Sequence, residues 1–267
     1  MQGRVLGGLV GLVLAVSGCK HSAAQEPFTA SASSSVDPPA PLVEGPEEVE
    51  RALVLVGEGR ELAASGLHAA ALARFEEARQ LAPSLGVAHL EAAMSAQRVG
   101  ASPQEIEQRL DAAVAQMPTN PRAQYQRAAL SEVRGDVDAA IRGYRLALTL
   151  RDDTTEVWLA LARTLLQTGA VAEAREAYGR AVNLEPRNTA AHLGLAESAE
   201  RLGDVVAAER ALRTVQSMLP GSVALQRQLV AFFERTGQRQ KAQAERTAME
   251  RAVPKDKRRL RPLKPSR

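Results

Sequence analysis

Residues 156–186 read EVWLALARTLLQTGAVAEAREAYGRAVNLEP, and their spacing decides the fold. Counted in a unit that starts at residue 155, Trp158, Leu161, Ala162 and Leu165 occupy positions 4, 7, 8 and 11, one face of a helix. Ala174, Tyr178 and Ala181 occupy positions 20, 24 and 27, one face of a second helix. Between them Gly169 suits a turn after the first helix, and Pro186 ends the second. Small residues at positions 8 and 20 let the two helices approach closely, while Trp158 and Tyr178 fill the space that remains. The stretch is one antiparallel helical hairpin.

The hairpin recurs. Glycines at 66, 100, 135, 169, 203 and 237 are spaced by 34, 35, 34, 34 and 34 residues. Pro83, Pro118, Pro186, Pro220 and Pro254 keep the same period, with Asp152 at the place of the missing proline. Position 20 reads Ala71, Ile106, Ala140, Ala174, Ala208, Ala242, and position 24 reads Phe75, Leu110, Tyr144, Tyr178, Leu212, Arg246. The one extra residue of the second unit falls in its turn. There Ser102-Pro103-Gln104-Glu105 offers an N-cap, a proline at the first helical position and a capping-box glutamate. The third unit departs most from the apolar pattern, with Gln124, Arg127 and Ser131 where apolar side chains are expected. The sixth carries Arg246 where a ring would stack, as suits a polar cap on the last unit of an array.

Period and signature positions together resemble the tetratricopeptide repeat. The resemblance implies an all-α, right-handed solenoid of about six helix-turn-helix units over 47–256. The units fall near 52–85, 86–120, 121–154, 155–188, 189–222 and 223–256, with the first helix starting near Pro46.

The chain before the repeats has a different character. Arg4 is followed by a short apolar run from Val5 to Val16, about half of what a membrane span requires. A charged start, a short apolar centre and a small-residue end describe a secretory signal. Val16-Ser17-Gly18-Cys19 resembles the bacterial lipobox, which makes 1–18 a lipoprotein signal peptide and Cys19, the single cysteine, the lipid-attachment residue. Residues 19–46 then form the lipidated end and a Ser/Ala/Pro-rich linker without apolar periodicity, with a reach of roughly 30 Å for a flexible chain of that length. Lys20, where a retention aspartate is absent, points to the outer membrane, so the expected place is the cell envelope, lipid-anchored and facing the periplasm.

Charge is uneven. The net +3 comes from the end of the chain, where residues 255–267, KDKRRLRPLKPSR, hold seven basic residues and one acidic one, and the rest is net acidic. The segment 257–267 is therefore a basic tail, and the body offers no basic face for nucleic acid.

No catalytic constellation is present. His21 lies in the linker, His68 in a turn, and His89 and His192 at position 4, where a bulky side chain packs between helices. No metal-ligand cluster, phosphate loop or nucleophile motif occurs, so neither a cofactor nor a metal nor a small-molecule substrate is expected, and the chain is not expected to be an enzyme. The partners expected are proteins, together with a membrane held through Cys19.

Binding is expected on the inner surface of the solenoid, made by the first helix of each unit. Position 5 reads Val56, Leu90, Tyr125, Leu159, Leu193 and then Arg227, with Met94 and Arg163 at position 9 beside them. This strip either forms an apolar groove for an apolar or amphipathic segment, or is covered in part by neighbouring helices. The Lys/Asn/Arg clamp that holds a peptide carboxylate in related adaptors is absent, since its positions hold Val56, Arg60, Glu91, Arg122 and Gln126. Lipobox, linker and repeats together resemble the type IV pilus biogenesis lipoproteins, the pilotins. That resemblance implies an assembly factor for an envelope complex such as a secretin ring. An adaptor for periplasmic peptidases or peptidoglycan enzymes, and an accessory subunit of the β-barrel assembly machinery, remain open alternatives.

Overall fold

The computed structural model describes residues 44–252, and within them the chain forms twelve helices and no strand. The first three hairpins pair α1 (Pro46–Ala64) with α2 (His68–Leu81), α3 (Gly86–Val99) with α4 (Pro103–Gln116), and α5 (Pro121–Val133) with α6 (Val137–Leu150). The next three pair α7 (Thr155–Gln167) with α8 (Val171–Leu184), α9 (Thr189–Arg201) with α10 (Val205–Met218), and α11 (Val223–Arg235) with α12 (Arg239–Ala252). Each hairpin packs on the next in chain order, so the expected all-α helix-turn-helix solenoid is what the chain forms. The signal segment, Cys19, the linker up to residue 43 and the basic tail lie outside the described residues.

Local chemistry sets the ends of the helices. At the tip of every hairpin the periodic glycine holds a positive φ, between 74° and 84°, which an L side chain tolerates poorly. The residue after it donates its N–H back to the carbonyl five positions earlier, as Ala170 does to Leu165 at 3.0 Å, so an otherwise unpaired helix-end carbonyl is satisfied. Side-chain caps start many of the helices. Asn120, Asn188 and Ser222 cap α5, α9 and α11, and Asp136 and Asp204 cap α6 and α10. At α4 the capping box forms in both directions, Ser102 Oγ accepting from Glu105 N and Glu105 Oε2 from Ser102 N, each at 3.3 Å.

Position 4 does more than pack. His89 Nε2 donates to Pro83 O (2.9 Å), Gln124 Nε2 to Pro118 O (2.8 Å), Trp158 Nε1 to Asp152 O (2.7 Å) and His192 Nε2 to Pro186 O (3.0 Å). In each case the acceptor is the carbonyl just beyond the preceding helix, a group with no partner inside that helix. What these four side chains share is an N–H at the right reach. Gln124, a polar intruder when only apolar size is considered, fits the rule.

The interior is built from small and large residues in alternation. Ala71, Phe75, Ala140, Tyr144, Ala174 and Ala208 are wholly buried or within 1% of it. Two glycines in the first helices exist to receive rings. A Cβ on Gly59 would stand 2.5 Å from the Phe75 ring, and one on Gly194 only 2.2 Å from Tyr178. In the sixth hairpin Arg246 is exposed and ion-paired to Glu234. The aromatic filling there comes from α11, whose Phe232 and Phe233 are completely buried with ring centroids 5.3 Å apart.

Candidate binding surface

Among helices two apart in sequence, α1 touches α3, α5 touches α7 and α7 touches α9, while the even-numbered helices make no comparable contacts. The array therefore bends with the odd-numbered helices on its inner side, and their position 5 and position 9 side chains face that side or the seams beside it. The structure divides the expected apolar strip. Val56 and Leu90 are each 2% exposed and belong to the hydrophobic interior of the first two hairpins, so they present nothing to a partner. Val56 packs beside Ala88 and Ala92 of α3, and Leu90 packs among Ile106 and Leu110 of α4 and Ala123 and Leu130 of α5, so neighbouring helices cover both side chains. Leu159 and Leu193 are half-buried against neighbouring hydrophobic clusters, and Arg163 and Arg227 are exposed. Met94 and Tyr125 are half-buried and do line an open pocket.

That pocket, about 890 Å³, runs over α1, α3, α5 and the start of α7. Its character is mixed, not apolar. Glu91 lies on its floor with its side chain 10% exposed, held by Arg60 from the preceding hairpin (2.9 Å) and Arg122 from the following one (3.1 Å). Two guanidinium groups on one carboxylate satisfy the desolvated charge and leave one positive charge over. Arg98, exposed in the same pocket, has no ion-pair partner among the described residues. In the sequence, Glu91 stands only as a residue unsuited to a carboxylate clamp. Its role as the carboxylate that ties three hairpins together follows from stacking, which brings residues 31 apart in the chain into contact.

The far wall is aromatic and acidic. Tyr125 Oη donates to Glu156 at 2.9 Å, and Tyr144 Oη donates to Glu132 at 2.6 Å from beneath, with the two rings 5.8 Å apart. Burial first, then these bonds to carboxylates, push both phenols well above the ordinary tyrosine range, so they remain donors. Arg163 reaches Glu132 at 3.5 Å. The surface thus offers surplus guanidinium charge at one end, a tyrosine ring and a thioether in the middle, and carboxylates at the other. It suits an extended chain with polar groups, and among the described residues no group of His, Cys, Asp and Glu is arranged to hold a metal ion. No helix of the described residues is long and apolar enough to cross a membrane.

A repeated hairpin array with an open, side-chain-lined inner surface is the fold of tetratricopeptide-type proteins, and it suggests a protein–protein interaction scaffold. Residues 159–223 match the sequence model of the tetratricopeptide repeat. No curated protein sequence matches the chain. Among solved structures it is similar to PilF of Pseudomonas aeruginosa, with 17% identity, 78% of this chain and 95% of that one covered, and a TM-score of 0.64. It is also similar to MamA (17% identity, 63% and 92% covered, TM-score 0.56) and to YrrB, described as a TPR protein with an unusual peptide-binding site (17% identity, 67% and 92% covered, TM-score 0.56). At these identities the likeness is one of fold.

Proposed function

We propose that this protein is a non-catalytic, lipid-anchored scaffold of the bacterial cell envelope that binds a partner's extended segment on its inner surface and assists assembly of an outer-membrane complex such as a type IV pilus secretin. The observation that carries the binding role is the pocket that joins Arg98 and Met94 of the second hairpin with Tyr125 of the third on the inner side of the array. The membrane role rests on the lipobox-like run ending at Cys19 and on the linker that follows it. The choice of a pilus complex is supported by the combination of lipobox, linker and six units, and by a fold shared with PilF over 95% of that chain's length.

Crosslinking in cells with a photoreactive residue at Gln126 or Gln97, both lining the pocket, tests the binding role. A partner captured there, and lost in the Arg98→Glu, Tyr125→Ala double variant, is the expected result. Equal capture by the double variant would overturn the assignment of this surface. The envelope role is tested separately. A null strain should contain fewer secretin multimers, and a Cys19→Ser strain should behave like the null. Unchanged multimers with altered cell-wall hydrolysis would replace the pilus reading by the peptidoglycan-adaptor one.

A further inference from the structure

A second concavity lies on the other side of the array, where α6 and α8 stand apart over α7. Its floor is apolar, made of Leu148, Trp158, Leu161 and Leu165, and it encloses about 690 Å³. Its margin carries four carboxylates, Asp152, Asp153, Glu173 and Glu176, and two guanidinium groups, Arg145 and Arg180. Arg145 is committed to Glu173, while Asp152 and Glu176 are exposed with no cationic partner among the described residues. Two helix C-termini, those of α6 and α8, end at this margin and add negative potential. The groove thus combines an apolar floor with an acidic mouth.

We propose that this groove is the docking site of the chain's own basic segment, residues 255–267. The complementarity is specific in two respects. The segment KDKRRLRPLKPSR brings seven cations to an acidic mouth, and it brings Leu260 and Leu263 to a leucine and tryptophan floor. Topology makes the contact attainable. All even-numbered helices run in the same sense, so α12 ends on the edge where α6 and α8 end and where Thr149, Asp152 and Leu184 open the groove. That opening is two hairpins from α12, roughly 20–40 Å at ordinary helix spacings. Residues 253–267 can span up to about 50 Å when extended. Docking would hold the basic segment against the protein and away from other anionic surfaces.

Trp158 is the only tryptophan of the chain and sits on the groove floor, so its fluorescence reads occupancy directly. Three forms are compared by acrylamide quenching at low salt: the full chain, a chain ending at Ala252, and a full-length Asp152→Asn, Glu176→Gln variant whose helices are checked by circular dichroism. The full chain should show the lowest quenching constant, and both other forms should share a higher one. In 1 M salt, where the screening length falls to about 3 Å, the full chain should lose its protection. A synthetic peptide of residues 255–267 should restore protection to the truncated chain saturably. Equal quenching of the full-length carboxylate variant and the full chain overturns the proposal, as does a peptide without effect. Protection that disappears on dilution would place the segment in the groove of a second copy and overturn docking within one chain.

Discussion

The third and fourth hairpins share one backbone plan and one apolar cluster, yet fill the seam of their first helices by opposite chemistry. In the fourth, α7 contributes Leu161, Leu165 and Leu166, each 5% exposed or less, around Ala162 and Tyr178. In the third, the equivalent seam is polar. Arg127 is half-buried, pairs with Asp111 and Glu107, and donates to Ser131 Oγ at 3.0 Å, while Ser131 returns its hydroxyl to Arg127 O at 3.2 Å. Tyr144 hands its buried hydroxyl to Glu132, whereas the Tyr178 hydroxyl has no protein partner among the described residues. Both hairpins share one apolar cluster, to which the third contributes Ala140, Tyr144, Ala147 and Leu148, but satisfied polar groups stand on α5 where α7 places leucines. The plan tolerates both because the positions fix geometry, and any chemistry that fills the space without leaving a polar group unpaired will serve.

Substitutions should separate the two. The largest effect is expected at Leu161, buried to 4% in the apolar hairpin. Leu161→Ala should cost about 2–5 kcal/mol, read as a lowered urea midpoint, because a cavity forms in a packed seam. A loss no greater than that of an exposed-site control would show that the fourth hairpin is not held by its apolar face.

The tyrosines give the sharpest test. Tyr144→Phe should cost about 1–2 kcal/mol through the lost bond to Glu132, and Tyr178→Phe should be close to neutral, since nothing there accepts its proton. Equal costs for the two would erase the distinction. Smaller still is Arg127→Met. Its ion pairs are partly solvated, with side-chain exposures of 31% for Arg127 and 25% for Glu107, so the change should shift stability by less than about 1 kcal/mol.

The smallest effect at neutral pH is expected at His89, and its value lies in its pH dependence. Burial is the main cause that holds this imidazole below the ordinary histidine range. The Arg79 cation acts in the same sense, against the opposing pull of the Pro83 carbonyl, Glu76 and Glu44. Nε2 donates to Pro83 O and Nδ1 accepts from Arg79 at 3.0 Å, so the ring is held neutral. A lowered folded-state pKa means that the unfolded chain binds the proton more readily. The stability contributed by neutral His89 is therefore complete above the unfolded value of about 6.5 and is lost as pH falls below it. His89→Gln, which can donate to the same carbonyl as Gln124 does at the next junction, should flatten the acid side of a melting-temperature profile while leaving the neutral side in place. An unchanged acid limb would remove His89 as its cause.

Periodicity made the fold legible because the forces involved are local. A glycine with positive φ, a cap three residues from its N–H and an apolar face at helical spacing each act within a few residues, so Gly169, Ser102 and Leu161 could be assigned their work directly. The inner surface was less legible. Its pocket depends on contacts such as Arg60 with Glu91 and Tyr125 with Glu156, 31 residues apart in each case. Position 5 looked like one apolar strip because all its members face one side of their helices. Yet Val56 is covered beside α3 and Leu90 among side chains of α4 and α5, while Tyr125 and Leu159 stay partly accessible.

The sequence by itself determined the hairpin, its number and its turn chemistry, because repeated local rules need no knowledge of neighbours. It also marked Cys19 and the basic segment as features distinct from the repeats. Only the tertiary structure decided which side chains remain for a partner. Exposure is set by how closely adjacent hairpins approach. The same approach turns Glu91 from an unsuitable clamp residue into the shared carboxylate between Arg60 and Arg122.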